Sequence, residues 1–179
     1  MITPAEREAM FARLRETREL VHHTIRGLSP EQFQYRPAPG RWSLAENLEH
    51  MALVEQRILA GLTRTLEQPP SPEKKSALTD EEIFQRVGRV LQPLTAPEYL
   101  RPTSRWPLAN LLSEFDAARQ RTMEFAATAA VSKELRQYFM PHPMFGELDC
   151  YQWFVLVAGH SERHCRQCEG VKSSAGFPR

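Results

Sequence analysis

The sequence predicts an all-α protein, an antiparallel bundle of four long helices. Apolar residues recur at helical spacing through four long stretches of the chain, and most of these stretches begin with a helix-capping pattern. No stretch shows the strict alternation of a half-buried strand, and no internal repeat divides the chain. The 179 residues suffice for one core. We therefore expect residues 1–179 to form a single four-helix domain.

The first two long helices are predicted from their start signals and their buried stripes. Thr3 with Glu6 forms a capping box for a helix over 4–27, and Ser43 with Glu46 forms one for a helix over 44–67. A single helical turn and a Pro-rich loop connect them. The inward stripe of the second helix contains Asn47, His50, Met51, Val54, Ile58, Gly61 and Leu62. His50 lies at the margin of that stripe, where we expect it to face inward but near solvent.

The connection between the second and third long helices is long. Residues 68–78 are rich in Pro and charge, which predicts a mobile linker. A short extra helix, capped by Thr79 with Glu82 and running to about 91, is followed by a segment with three prolines. The third long helix is predicted over 107–128. A connection of this length allows the second and third helices to run in parallel. Residues 138–147 are predicted to form an aromatic-rich loop without a strand.

The last helix is predicted over 147–170, with Asp149 as its N-cap, Gly170 as its stop and a frayed tail over 171–179. Its inward stripe includes Trp153, Leu156, Val157, His160, His164 and Cys168. Because two residues four positions apart have Cβ atoms about 5–6 Å apart, both imidazoles can reach one metal ion. The spacing favours a metal site and two hydrogen-bonded core histidines about equally. A metal needs a third ligand, and periodicity by itself favours a hydrogen-bonded boundary residue at His50.

Composition excludes several classes of function. The net charge is +1, and no basic cluster with interleaved aromatic residues predicts nucleic-acid binding. No apolar run reaches the roughly 20 residues of a membrane span, and the first residues do not resemble a signal peptide. Three cysteines form no disulfide framework and fit a reducing, cytoplasmic setting. Helical geometry places Cys165 and Cys168 away from a site at His160, so we expect Cys168 in the core and Cys165 at the surface.

Two patterns carry a resemblance to a known family. The first is W-S-x-x-E-x-x-x-H, and the second is H-x-x-x-H following a tryptophan. They lie within residues 40–50, 142–148 and 160–167, with Trp153 between the last two. In these motifs, in helix order and in length, essentially the whole chain resembles the DinB superfamily, most closely its DinB-2-like branch.

The resemblance implies a four-helix bundle in which three histidines bind a divalent metal, typically zinc or nickel. On this sequence the ligands correspond to His50, His160 and His164. It also implies a homodimer. Several relatives are thiol-dependent transferases or isomerases that use bacillithiol, mycothiol or glutathione as the low-molecular-weight thiol.

Three neutral imidazoles leave coordination positions open, as in catalytic metal sites. Such a metal acidifies a thiol or a water molecule. On the family resemblance we expect a thiol-dependent S-transferase that acts on a small-molecule electrophile. Two alternatives stay open: a metal-dependent hydrolase on the same ligands, and a non-catalytic dimeric bundle that binds a small ligand or a stress-response partner. The sequence assigns no catalytic residue beyond the metal ligands.

Overall fold

The computed structural model describes residues 1–89 and 96–179. Within these ranges the chain forms six α-helices, a two-stranded hairpin and short 3-10 turns. The helices are α1 (Pro4–Ile25), α2 (Pro30–Gln34), α3 (Leu44–Leu66), α4 (Asp80–Gly88), α5 (Leu111–Ser132) and α6 (Cys150–Lys172), and the strands are β1 (Phe139–His142) and β2 (Gly146–Asp149). The four long helices α1, α3, α5 and α6 form the predicted bundle, which confirms the fold. No helix in the described ranges is both long and apolar enough to cross a membrane.

The predicted capping boxes are present. The side chains of Thr3, Ser43, Thr79 and Asp149 each accept a hydrogen bond from the backbone three residues on, and the residue there returns one to the cap. These bonds satisfy N–H groups that the first turn of a helix otherwise leaves unpaired. The predicted helix starts at 4, 44 and 80 are therefore determined locally.

The four long helices form two parallel pairs that run in opposite directions. In α6, Tyr151 near the start bonds the Glu6 carbonyl and Lys172 at the end bonds the Thr24 carbonyl, so α1 and α6 are parallel. Helices α3 and α5 begin in the same apolar cluster and are also parallel. The C-terminal half of α6 meets the N-terminal half of α3, so the pairs are antiparallel. The long connection before α5 thus permits the parallel arrangement of α3 and α5.

The loop predicted before the last helix is a β-hairpin, which corrects the expectation of no strand. Strands Phe139–His142 and Gly146–Asp149 pair antiparallel in full register. Each strand has only four residues, and the first contains Pro141, so no alternation signal arises. Trp153 of α6 donates a hydrogen bond to the Met140 carbonyl at 2.8 Å, which fastens the hairpin to the bundle.

Several helix boundaries differ from those predicted, and α6 begins at Cys150 rather than at 147. Helix α5 begins at Leu111, after a 3-10 turn at Leu108–Asn110, and continues to 132 because Ala129 and Ala130 still pack in the core. Helix α6 passes through Gly170 and ends at Lys172, where buried Val171 keeps the last turn packed. Helix α4 lies against α6, while its predicted end near 91 falls outside the described residues.

Cys165 was expected at the surface but is buried, at 2% exposure. The reason is that α6 packs against α1 and α4 as well as α3, so it has more than one buried face. Burial raises the pKa of the Cys165 thiol to about 11. Cys168 is buried as predicted.

The connection and the tail both contact other segments of the described chain. In the connection, the Ser71 N–H donates to the Gln137 carbonyl at 2.7 Å. In the tail, the Phe177 ring lies edge-on to Tyr35, with ring centroids 5.7 Å apart. The mobility of residues 68–78 and the fraying of 171–179 stay predictions, as does the division of the chain into one domain.

Candidate metal centre

Three imidazoles from two helices converge on one point of the bundle. His50 comes from α3, and His160 and His164 come from α6. One ring nitrogen of each lies within 4.8 Å of the others. His50 was expected near solvent but is only 6% exposed, because Trp42 and the segment containing Leu100 cover it. The structure thus brings together the three residues named by the family resemblance.

The tautomer of His164 follows from its partner Asn47. The Asn47 amide nitrogen donates to the Ser43 carbonyl at 2.8 Å, which directs its oxygen toward His164. That oxygen lies 2.8 Å from His164 Nδ1. Because an amide oxygen only accepts, Nδ1 carries the proton. The lone pair of Nε2 is therefore presented to the centre of the cluster.

The tautomer of His50 is set by a backbone carbonyl. His50 Nδ1 lies 2.8 Å from the oxygen of Leu100, so Nδ1 donates and Nε2 is left with its lone pair. Buried Glu49 holds the following segment in place. Its carboxylate accepts hydrogen bonds from three consecutive backbone N–H groups, those of Thr103, Ser104 and Arg105. The carboxylate thus orders the segment whose Leu100 orients His50.

His160 completes the cluster, with its Nε2 3.1 Å from Nε2 of His164. Burial holds the pKa of His50 below its usual range and holds the pKa values of His160 and His164 well below it; the neighbouring imidazoles lower the latter two further. All three rings are therefore neutral at neutral pH, which is the form that binds metals.

The donor set fits a divalent metal ion. Small side-chain rotations would close the cluster to the roughly 3–4 Å separations of nitrogens around one ion. Two rings already have their outer nitrogens bonded to protein acceptors, as metal-binding histidines generally do. Without a metal, the Nε2 atoms of His50 and His164 both present lone pairs to the cluster. Only a proton on Nε2 of His160 could then form a hydrogen bond among the three rings.

Trp42 is a site residue that the sequence analysis did not identify. Its ring lies over His50 and His164, with centroid distances of 4.7 and 6.2 Å. Its position one residue before the Ser43 cap brings it to the end of α3 that meets α6. Asn47 was also missed; the available signal was a polar residue within an apolar stripe, three positions before His50.

Three further polar side chains of α3 and α6 lie outside the cluster. Glu46 caps α3 and pairs with Arg36, so it does not orient His50. The Tyr151 hydroxyl bonds the Glu6 carbonyl at the other end of the bundle. Arg57 is exposed over the ring of Tyr99. None of these side chains forms a hydrogen bond to the three histidines.

His142 is half-buried among aromatic rings of the hairpin. It stacks on Phe145 with a centroid distance of 4.6 Å and lies 5.4 Å from the ring of Trp153. Its Nδ1 accepts a hydrogen bond from the Met144 N–H. Burial lowers the pKa of His142 to about 4.

We expect His142→Phe to make the fold less sensitive to acid. Between pH 6.5 and 4 the unfolded chain binds a proton at His142 that the folded chain excludes, so wild-type stability falls as pH falls through this window. Through this one group, the free energy of unfolding falls by at most about 1.4 kcal/mol for each pH unit. Urea unfolding of chelator-treated protein at pH 6.5 and 4.5 measures it. Equal losses in wild type, His142→Phe and the exposed control His23→Phe would contradict the assignment.

The comparisons with known proteins agree with this architecture. A model of the DinB superfamily matches residues 13–168. The chain is 25% identical over 158 residues to the uncharacterized protein YuaE of Bacillus subtilis (strain 168), covering 88% of this chain and 93% of YuaE.

Two solved structures share the fold. The four-helix bundle protein TT2238 superposes with a TM-score of 0.58 at 21% identity, covering 92% of this chain and 98% of TT2238. YfiT from Bacillus subtilis, described as a probable metal-dependent hydrolase with an unusual four-helix bundle topology, gives a TM-score of 0.65 at 12% identity. That match covers 99% of this chain and 92% of YfiT. Since the family model spans most of the sequence, this chain belongs to the DinB superfamily.

Proposed function

We propose that His50, His160 and His164 bind one divalent metal, zinc or nickel, and that the site activates a low-molecular-weight thiol for transfer to a small electrophile. The observation that supports the metal is the pair of fixed tautomers: Asn47 and the Leu100 carbonyl leave Nε2 of His164 and His50 free to face His160. A divalent ion on three imidazoles supplies Lewis acidity, which lowers the pKa of a thiol or water molecule beside it.

The carboxylates of α3 favour a thiol over water as the nucleophile. Hydrolysis is faster when a general base takes a proton from the attacking water molecule. Glu46 is used in a cap and an ion pair, Glu49 bonds three backbone N–H groups, and Glu55 pairs with Arg119. A thiol depends less on such a base, because its own pKa of about 8.5 is already far below that of water.

A metal-dependent hydrolase is the second candidate. It is favoured by the fold that the chain shares with YfiT, which is itself described as a probable metal-dependent hydrolase. The same three histidines would bind the metal in such a hydrolase.

A cytoplasmic location and a homodimer complete the proposal. Light scattering on purified protein tests whether the protein is a dimer.

We expect zinc- or nickel-loaded protein to conjugate a thiol to 1-chloro-2,4-dinitrobenzene faster than the metal-free protein does. In this reaction a sulfur–carbon bond forms, the carbon–chlorine bond breaks, and a proton and chloride leave to solvent. Cysteine, glutathione and 2-mercaptoethanol serve as thiols, and absorbance of the product gives the rate. His160→Ala should lose the metal-dependent rate and the exposed control His23→Ala should retain it.

The same preparations distinguish the alternatives. Metal-dependent hydrolysis of 4-nitrophenyl acetate without thiol, together with no conjugation, would favour the hydrolase. Neither activity in protein shown to contain metal would favour the non-catalytic bundle.

A further inference from the structure

Arg163 differs from every other arginine that is at least partly buried. Five arginines of the chain are not exposed. Four of them form ion pairs with carboxylates: Arg13 with Glu81, Arg18 with Asp116, Arg119 with Glu55, and Arg136 with Glu6, Asp80 and Asp149. Arg163 has no carboxylate within ion-pair distance in residues 1–89 and 96–179. Its Nε is buried with no hydrogen-bond partner there, and residues 90–95 contain no acidic side chain.

Arg163 lies close to two of the three histidines along α6. Arg163 follows His160 by one helical turn on α6 and directly precedes His164. At 3.6 residues per turn, Arg163 lies about 60° around the helix axis from His160, so it borders the face of α6 that carries both imidazoles. Because His160 and His164 face α3, the Arg163 side chain extends from the edge of the side of α6 where the cluster lies.

Keeping a half-buried cation without a partner is unfavourable, because desolvation is then uncompensated. The other half-buried arginines show how this protein compensates such a charge, namely with a carboxylate. A guanidinium binds carboxylates through two parallel hydrogen bonds, so an anionic ligand would supply the missing partner.

We propose that Arg163 binds a carboxylate group of the same small thiol that reaches the three-histidine site. The inference rests on the proposed thiol-activating function and narrows its co-substrate to an anionic thiol. Arg163 selects and positions that thiol through its charge. Because its partner is the ligand, Arg163 contributes little to the stability of the free protein.

The test compares two thiols of the same chain length, 3-mercaptopropionate with a terminal carboxylate and 3-mercapto-1-propanol with an uncharged terminal alcohol. Titration into cobalt-substituted protein, followed by the absorption of the cobalt site, gives a dissociation constant for each. We expect the wild type to bind the carboxylate thiol at least about tenfold more tightly, as a charge-assisted hydrogen bond predicts. Arg163→Met should lose this preference, keep the affinity for the alcohol and keep its melting temperature. Arg57→Met, which removes an exposed arginine of α3, is the matched control and should retain the preference.

The outcomes separate this inference from the proposed function. Equal affinities for the two thiols in the wild type would overturn the role of Arg163 while leaving thiol activation intact. A preference that survives Arg163→Met would also overturn it. Calorimetric titration of propionate tests the carboxylate without the thiol. If neither thiol changes the cobalt spectrum, thiol activation fails; Arg163-dependent binding of propionate would then still support the anion site, and its absence would overturn both.

Discussion

Replacing His50 or His160 by alanine is expected to abolish tight metal binding. The two residues come from different helices, so each substitution removes one of three ligands without removing the other helix from the site. A site of this kind has a binding free energy on the order of 10 kcal/mol, and losing a third of it raises the dissociation constant by roughly two to three orders of magnitude. Competition titration with a chromophoric chelator measures the constant, and elemental mass spectrometry of untagged protein measures the metal content.

Two further variants make this titration specific. His23→Ala removes an exposed histidine of α1 and should leave the dissociation constant unchanged. Asn47→Leu removes the acceptor that holds His164 but retains all three ligands, and substitutions of this type cost about 10–100-fold in affinity. Wild-type metal content in both the His50→Ala and the His160→Ala variants would show that these residues do not form the site.

The second large effect concerns the ion pair at the centre of the bundle. Arg119 of α5 is fully buried and bonds all three other long helices. Its guanidinium donates to Glu55 of α3 at 2.7 Å, to the Leu14 carbonyl and Thr17 hydroxyl of α1, and to the Ser161 hydroxyl of α6 at 2.8 Å. Breaking a buried pair by removing one partner leaves an uncompensated charge. We therefore expect Glu55→Leu to lower the free energy of unfolding by about 3–5 kcal/mol.

A double-mutant cycle tests whether the loss comes from the unpaired charge. Arg119→Met alone should be as destabilising as Glu55→Leu, whereas the double variant should recover much of the loss because no buried charge remains. Urea unfolding of metal-free protein gives the free energy of unfolding of the wild type, the two single variants and the double variant. Arg18→Met, at the half-exposed pair with Asp116, is the control and should cost about 1 kcal/mol or less. A loss that small for Glu55→Leu would contradict a central role for the pair.

The features that sequence reasoning predicted well depend on residues close together in the chain. Each capping box joins residues three apart, so the starts of α1, α3, α4 and α6 follow from local chemistry. The periodic stripes predicted four long helices for the same reason, and the spacing of His160 and His164 placed both imidazoles on one face of α6. His50 entered through the family resemblance, since periodicity by itself did not select it.

The orientation of the site was decided only by the tertiary structure. Asn47 and His164 are 117 residues apart, and Leu100 and His50 are 50 apart, so no local pattern indicates which nitrogen of each ring faces the cluster. The same holds for the Arg119 network, which joins four helices, and for Cys165, which is buried because α6 packs on several sides. Local chemistry thus determined the helices and the facing histidine pair. Packing between distant segments decided the tautomers, the third imidazole's place and the unpaired charge of Arg163, because those depend on which backbone and side-chain groups the fold brings together.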